Sequence, residues 1–242
     1  MVQVVIYGFV GALGLITGSI CGCFFNIKEK TIGILMAFGA GALIAALSFG
    51  LLEESYRLSG LYHTIWAFAF GGLLFVLGDL LIIKLGGRGH KRHYSSQETT
   101  GWAIVLGAVL DGIPESLALG VALLLGKSLG FVIMIAIFLS NFPEGISSAY
   151  DLTRTGQKRN SVLLTWFLVA FVGFIFVIFG YMVFGHISQT VLGVTEAIAA
   201  GALLAMVSST MIPESFRESG FSASLVTMFG FLVIFFLSKI AL

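Results

Sequence analysis

All three prolines of the 242-residue chain stand directly before a glutamate, as Pro114-Glu115, Pro143-Glu144 and Pro213-Glu214. Two of these pairs carry further polar residues at the same spacing. Asp111-Gly-Ile-Pro-Glu115 and Ser140-Asn-Phe-Pro-Glu144 align with Asp111 over Ser140 and Glu115 over Glu144. In a helix, a spacing of four puts each pair on one face. Proline also has no N–H for the carbonyl four residues earlier, so Pro114 and Pro143 leave the carbonyls of Leu110 and Leu139 without their usual partners. Asp111, Glu115, Ser140, Asn141, Glu144 and such carbonyls form a set of oxygen ligands. That chemistry suits magnesium, manganese or calcium, and zinc and ferrous iron also accept carboxylates. Neither motif contains a histidine or a cysteine.

The elements that must position these residues are helices in lipid. Hydrophobic residues make up 58% of the chain and charged residues only 10%, against about 25% charged in soluble domains, and the mean hydropathy is +1.05. The expected fold is all-α: a polytopic membrane protein, one transmembrane domain over 1–242. Apolar runs of the length that crosses about 30 Å of hydrocarbon cover 2–25, 31–52, 61–83, 101–125, 131–150, 161–184, 191–212 and 221–237, eight helices in all. The joints are short except for a cytoplasmic loop at 84–100. No basic stretch precedes the first run, which is too long for a signal-peptide core, so it is expected to remain as the first helix. Cys21 and Cys23 read as small packing residues. A net charge of +1 gives no reason to expect nucleic acid.

Lys28, Lys30, Lys84, Arg88, Lys91, Arg92, Arg154, Lys158, Arg159 and Arg217 follow the odd-numbered spans; Arg57, Lys127 and Lys239 lie on the other side. Cytoplasmic loops hold the excess of Lys and Arg, which places both termini outside; the short loops and the lack of a cleavable signal favour a plasma membrane. Trp66, Trp102 and Trp166 fall near span ends, as in an interfacial belt. Laying residue n on residue n+160 exposes a repeat. Ala40 to Leu43, Ala45, Ser48, Glu54, Ser55, Arg57, Ser59 and Gly60 recur as Ala200 to Leu203, Ala205, Ser208, Glu214, Ser215, Arg217, Ser219 and Gly220. The repeat relates the second span to the seventh, which run in opposite directions, and so predicts a 3+2+3 arrangement of inverted repeats, an architecture of alternating-access transporters. Glu54 then lies at the outer mouth and Glu214 at the inner one, candidate gate carboxylates, with Asp79 near the inner end of the third span as a further pathway candidate.

A charge at the bilayer centre costs about 2.5–3.5 kcal/mol on insertion scales and as a rule faces a pathway or a partner. Every Lys and Arg falls in a loop or at a span end, so the counter-charge to Asp111, Glu115 and Glu144 is expected to be a bound cation or bound protons. The bland reading of these carboxyls is interhelical hydrogen-bonding glue. Among functions, a divalent-cation transporter is favoured; a proton-coupled carrier of a small organic solute or a cation channel is the alternative. An intramembrane metalloprotease needs histidines held within helices. His63, His90, His93 and His186 lie in loops or at span ends, and no enzyme activity or prosthetic group is expected. The partners expected are the bilayer and the transported ion, with a homodimer left open.

The Asn141-Phe142-Pro143-Glu144-Gly145 core, its partner Asp111-Gly112-Ile113-Pro114-Glu115, the eight spans and the basic loop bearing His90-Lys-Arg-His93 together resemble the ZIP family of divalent metal transporters. The family's motifs usually read His-Asn-Phe-Pro-Glu-Gly and His-Glu/Asp-Ile-Pro-Glu-Gly. The resemblance implies a metal site between the fourth and fifth helices and passage of zinc, most of all, or manganese, iron or cadmium towards the cytoplasm as substrate. It matches Glu115 and Glu144 to metal-bridging glutamates and Asn141 to a second-site ligand. Asp111 and Ser140 stand where the family has histidine, Gly112 replaces a further ligand, and the sixth helix lacks the acid that many members place there.

Overall fold

The computed structural model describes residues 1–84 and 101–241. The loop with His90, Lys91, Arg92 and His93 and the side chain of Trp102 lie outside the described part. Among the described residues, eight helices are long and apolar enough to cross a membrane: α1 (Val2–Phe24), α2 (Glu29–Ser59), α3 (Leu61–Lys84), α4 (Gly101–Leu125), α5 (Lys127–Arg154), α6 (Arg159–Phe184), α7 (Gln189–Ser219) and α8 (Ser222–Ala241). Among the described residues there is no strand. In hydrocarbon every backbone N–H and C=O must be paired internally, and a helix does this within one segment.

α2, α5 and α7 are the most buried of the eight, and α3, α6 and α8 the least. Phe9, Trp66, Phe179 and Phe229 are among the large apolar side chains left exposed, as a lipid-facing surface requires. Trp166 departs from the belt expected for it: it is fully buried, packed with Leu15, Ala149, Leu152 and Val162.

Lipid tails are as apolar as leucine, so close backbone approach rather than water exclusion must hold the helices together. Glycines provide it. A Cβ added at Gly18 of α1 would come to 2.1 Å of the Phe142 carbonyl oxygen on α5, and one at Gly145 of α5 to 2.6 Å of the Leu15 carbonyl oxygen on α1. α7 meets α3 through Gly201 against Phe68 and Gly71 against Ile198, each at 2.0 Å, while α2 meets α8 through Gly41 against Thr227 and Gly230 against Phe38, at 1.9 and 2.1 Å. Gly41 and Gly201 are partners in the 160-residue repeat.

α2 and α7 run farther than the apolar runs suggested, to Ser59 and Ser219, so Glu54 and Glu214 belong to continuous helices and not to loops. Each contains a π-helical turn, Leu47–Leu52 in α2 and Val207–Met211 in α7. Such turns recur at functional sites. Pro213 follows the second, but Glu53 follows the first, so proline is not what makes them. The hydroxyls of Ser48 and Ser208 each donate to the carbonyl four residues back, Ile44 and Leu204, at 2.7 Å, a bond that competes with the helix and bends it. The two helices lie antiparallel: Gly33 packs on Ser215 and Ser219, and Gly193 on Ser55 and Ser59, each set lying 160 residues from the other.

Substituting leucine at Gly41 or Gly201 is expected to cost at least the 1–3 kcal/mol typical of overpacking, read as a lowered melting temperature in detergent. Gly112→Ala, whose added methyl meets nothing within 4 Å, is expected not to lower the melting temperature, since alanine is also the better helix former.

Candidate metal site

α4 and α5 pass through Pro114 and Pro143 without a break, and they bring the two motifs together inside the bundle. Glu115 is 2% exposed, Ser140 fully buried, and Asp111 and Asn141 nearly so; Glu144 is half-buried. The Ser140 hydroxyl lies 3.3 Å from Glu115 Oε1 and 2.9 Å from the Ile137 carbonyl oxygen, to either of which its one proton can be donated. Glu144 and Asp111 are near enough to act on the charge of Glu115. The Asn141 amide donates to the Gly11 carbonyl of α1 at 3.4 Å, while its Oδ1 is buried with no hydrogen-bond partner among the described residues. Among the described residues that acceptor meets no donor, as a cation ligand would.

A cavity of about 30 Å³ lies beside these groups, lined by Glu115, Ser116 and Asn141 together with Gly112, Gly11 and Gly173. It has room for a water-sized occupant. α6 reaches the cavity with Val169, Ala170, Gly173, Phe174 and Val177, so its wall there is apolar. Among the described residues no three His, Cys, Asp or Glu side chains are arranged to hold a metal by themselves. An ion here would therefore also draw on Ser140, Asn141 or water.

The freed carbonyls do not gather at this cavity, as the sequence had suggested. Neither Leu110 nor Leu139 lines it. The Leu139 oxygen lies against α2 instead, where a Cβ on Gly39 would stand 2.7 Å away; the missing side chain is what lets that carbonyl sit there.

None of the other pathway candidates lines this cavity. Glu54, near one end of the bundle, takes a two-pronged ion pair from Arg57, through Nη2 and through Nε at 2.8 Å. Glu214, at the opposite end, is buried and accepts a hydrogen bond of 2.7 Å from Ser147 of α5. Its repeat partner for Arg57, Arg217, pairs with Glu218 at 2.8 Å instead. Asp79 is half-buried on α3, next to Gly78, which packs on Leu110 of α4.

Two residues of this polar interior escaped the sequence reading. Ser147 lies three residues after Glu144 on the same face of α5, and that spacing was the signal. Glu196 of α7 is fully buried, with neither oxygen hydrogen-bonded among the described residues. Its signal was an acid inside the run 191–212, opposite Met36 in the repeat.

Eight spanning helices around a buried group of acidic, amide and hydroxyl side chains define a multi-pass membrane protein with a polar interior. The ZIP zinc transporter family model matches residues 83–238, more than half of the chain, and the chain belongs to that family. It is 32% identical over 167 residues to the zinc transporter GufA of Myxococcus xanthus, covering 67% of this chain and 65% of that protein. It is 24% identical over 205 residues to a putative zinc transporter of Arabidopsis thaliana, covering 84% of this chain and 33% of that one. The chain thus spans less than two thirds of the length of either relative.

Metal-dependent thermal stabilisation in detergent checks the cluster. Zinc or manganese is expected to raise the melting temperature of the wild type, and a Glu115→Gln, Glu144→Gln double variant is expected to lose that response. Ser140→Ala is expected to weaken it by no more than about tenfold in apparent affinity, ~1.4 kcal/mol, because its hydroxyl already has the Ile137 carbonyl.

Proposed function

We propose that the chain is a single transmembrane domain that carries zinc, or a related divalent ion such as manganese, iron or cadmium, towards the cytoplasm by alternating access. The observation that carries this reading is the buried meeting of Glu115 with Ser140, Asn141, Asp111 and Glu144 beside a cavity with room for a small occupant. The ion rests between α4 and α5 with Glu115 and Glu144 as its anionic ligands and Asp111, Ser140 and Asn141 completing the shell, which requires these side chains to draw in, since no three acids stand in a ligating array among the described residues. Oxygen donors of this kind suit a hard or borderline cation, and the family and the two named relatives, both zinc transporters by description, favour zinc.

In this reading α1–α3 and α6–α8 form two inverted repeats that rock about the α4–α5 pair. Support comes from the equivalent α2–α8 and α7–α3 contacts, the paired π-helical turns and the serine bonds that precede them. The ion enters past Glu54, on the side that the loop charges assign to the outside, and leaves past Glu214. The bond from Ser147 to Glu214 is one that must open for it to leave.

Uptake of zinc, manganese, iron, cadmium and cobalt into proteoliposomes tests this, wild type beside Glu144→Gln. Saturable uptake of at least one ion, abolished by the substitution, is the expected result. If the folded wild type takes up none of them, the metal reading fails, and a carrier of a small organic solute with protonated central carboxyls takes its place.

A further inference from the structure

Glu196 plays no part in the metal site. It lies near the start of α7, fully buried, and neither carboxyl oxygen meets a hydrogen-bond donor among the described residues. Gly193, one turn earlier, packs on Ser55, Leu58 and Ser59 of α2, so Glu196 sits beside the end of α2 that carries Glu54. α2, α3 and α4 pack against this part of α7. Their titratable groups are Glu53, Glu54, Tyr56 and Arg57 on that half of α2; Tyr62, His63, Asp79 and Lys84 on α3; and Asp111 and Glu115 on α4. Glu54 is the one that acts on the charge of Glu196, and it is a like charge whose cation, Arg57, is already engaged.

The fold does not need a carboxyl at this position. Residue 36 is its partner in the repeat and is a methionine, 2% exposed. A side chain of similar length but apolar thus fills the matching slot at the other end of the bundle. A carboxyl kept where methionine packs, away from water and donors, must be neutral or neutralised. Among the described residues no two further acidic, histidine or cysteine side chains are grouped with Glu196 as a metal site would need. A metal ion takes several such ligands; a proton takes one.

We infer that Glu196 is a proton site coupled to the movement of α7. Buried, its carboxyl holds a proton. When α7 moves relative to α2, the carboxyl opens to water near Glu54, the O–H bond breaks, the proton passes to water, and the carboxylate takes up another proton before it is buried again. This rests on the transport reading for the movement of α7 and for the link between the proton and metal flux; the buried proton itself does not.

Two measurements test it on the intact chain in liposomes, with Glu196→Gln and with Glu196→Met, the latter taken from the repeat partner and so compatible with the packing. Infrared difference spectra of metal-free protein between acidic and alkaline pH should contain a carboxylic-acid carbonyl band that both variants lose. Zinc flux should change several-fold with pH in the wild type and by less than about twofold in either variant, with the concentration for half-maximal flux unchanged. A band that survives in both variants overturns the proton site, as does a wild-type flux profile retained by both. If wild-type liposomes carry no metal, the transport reading fails by itself, and the infrared band still decides whether Glu196 binds a proton.

Discussion

Glu115 sits where water does not reach, with Glu144 and Asp111 as its acidic neighbours, and in a low-dielectric interior such a group of carboxyls cannot all be ionised without positive charge among them. Much of the surrounding architecture can be understood from that constraint. The motifs meet because α4 and α5 are held in register by their neighbours, α1 closing on α5 through Gly18 and Gly145, and α6 closing on α4 through Gly120, whose added Cβ would stand 2.5 Å from the Val177 carbonyl oxygen. Glycine at these contacts lets backbones touch in a solvent that gives apolar side chains no reason to cluster. The cavity left between these four helices is small, and its few polar lining groups come from α4 and α5.

The similarity between α2 and α7 is as informative where it fails as where it holds. Serines 48 and 208 make the same backward hydrogen bond, and the π-helical turns begin 160 residues apart. Arg57 and Arg217 are also equivalent, yet Arg57 grips Glu54 while Arg217 turns to Glu218. The residue matching Glu218 is Leu58, which offers no such partner. One substitution in the repeat thus gives Arg217 another carboxylate, and Glu214 is found facing α5, where Ser147 meets it. Met36 and Glu196 differ in the same way: equal burial, unequal chemistry. The two ends of the bundle share a backbone plan and differ in where their carboxylates point.

The eight spans and the all-α class were legible in the sequence because lipid imposes a length and a composition that few other environments do. The Pro-Glu pairs and the spacing of four in Asp111–Glu115 and Ser140–Glu144 fixed which faces of two helices carried the oxygen ligands, since side-chain direction in a helix follows from spacing alone. What remained open was everything that depends on which helix stands beside which. That Trp166 is buried, that the Leu139 carbonyl lies against Gly39, that α2 and α7 run on to Ser59 and Ser219, and that Glu196 is enclosed beside Glu54 follow from packing between residues far apart in the chain. Hydropathy and local spacing carry no record of those neighbours, so only the tertiary structure could decide them.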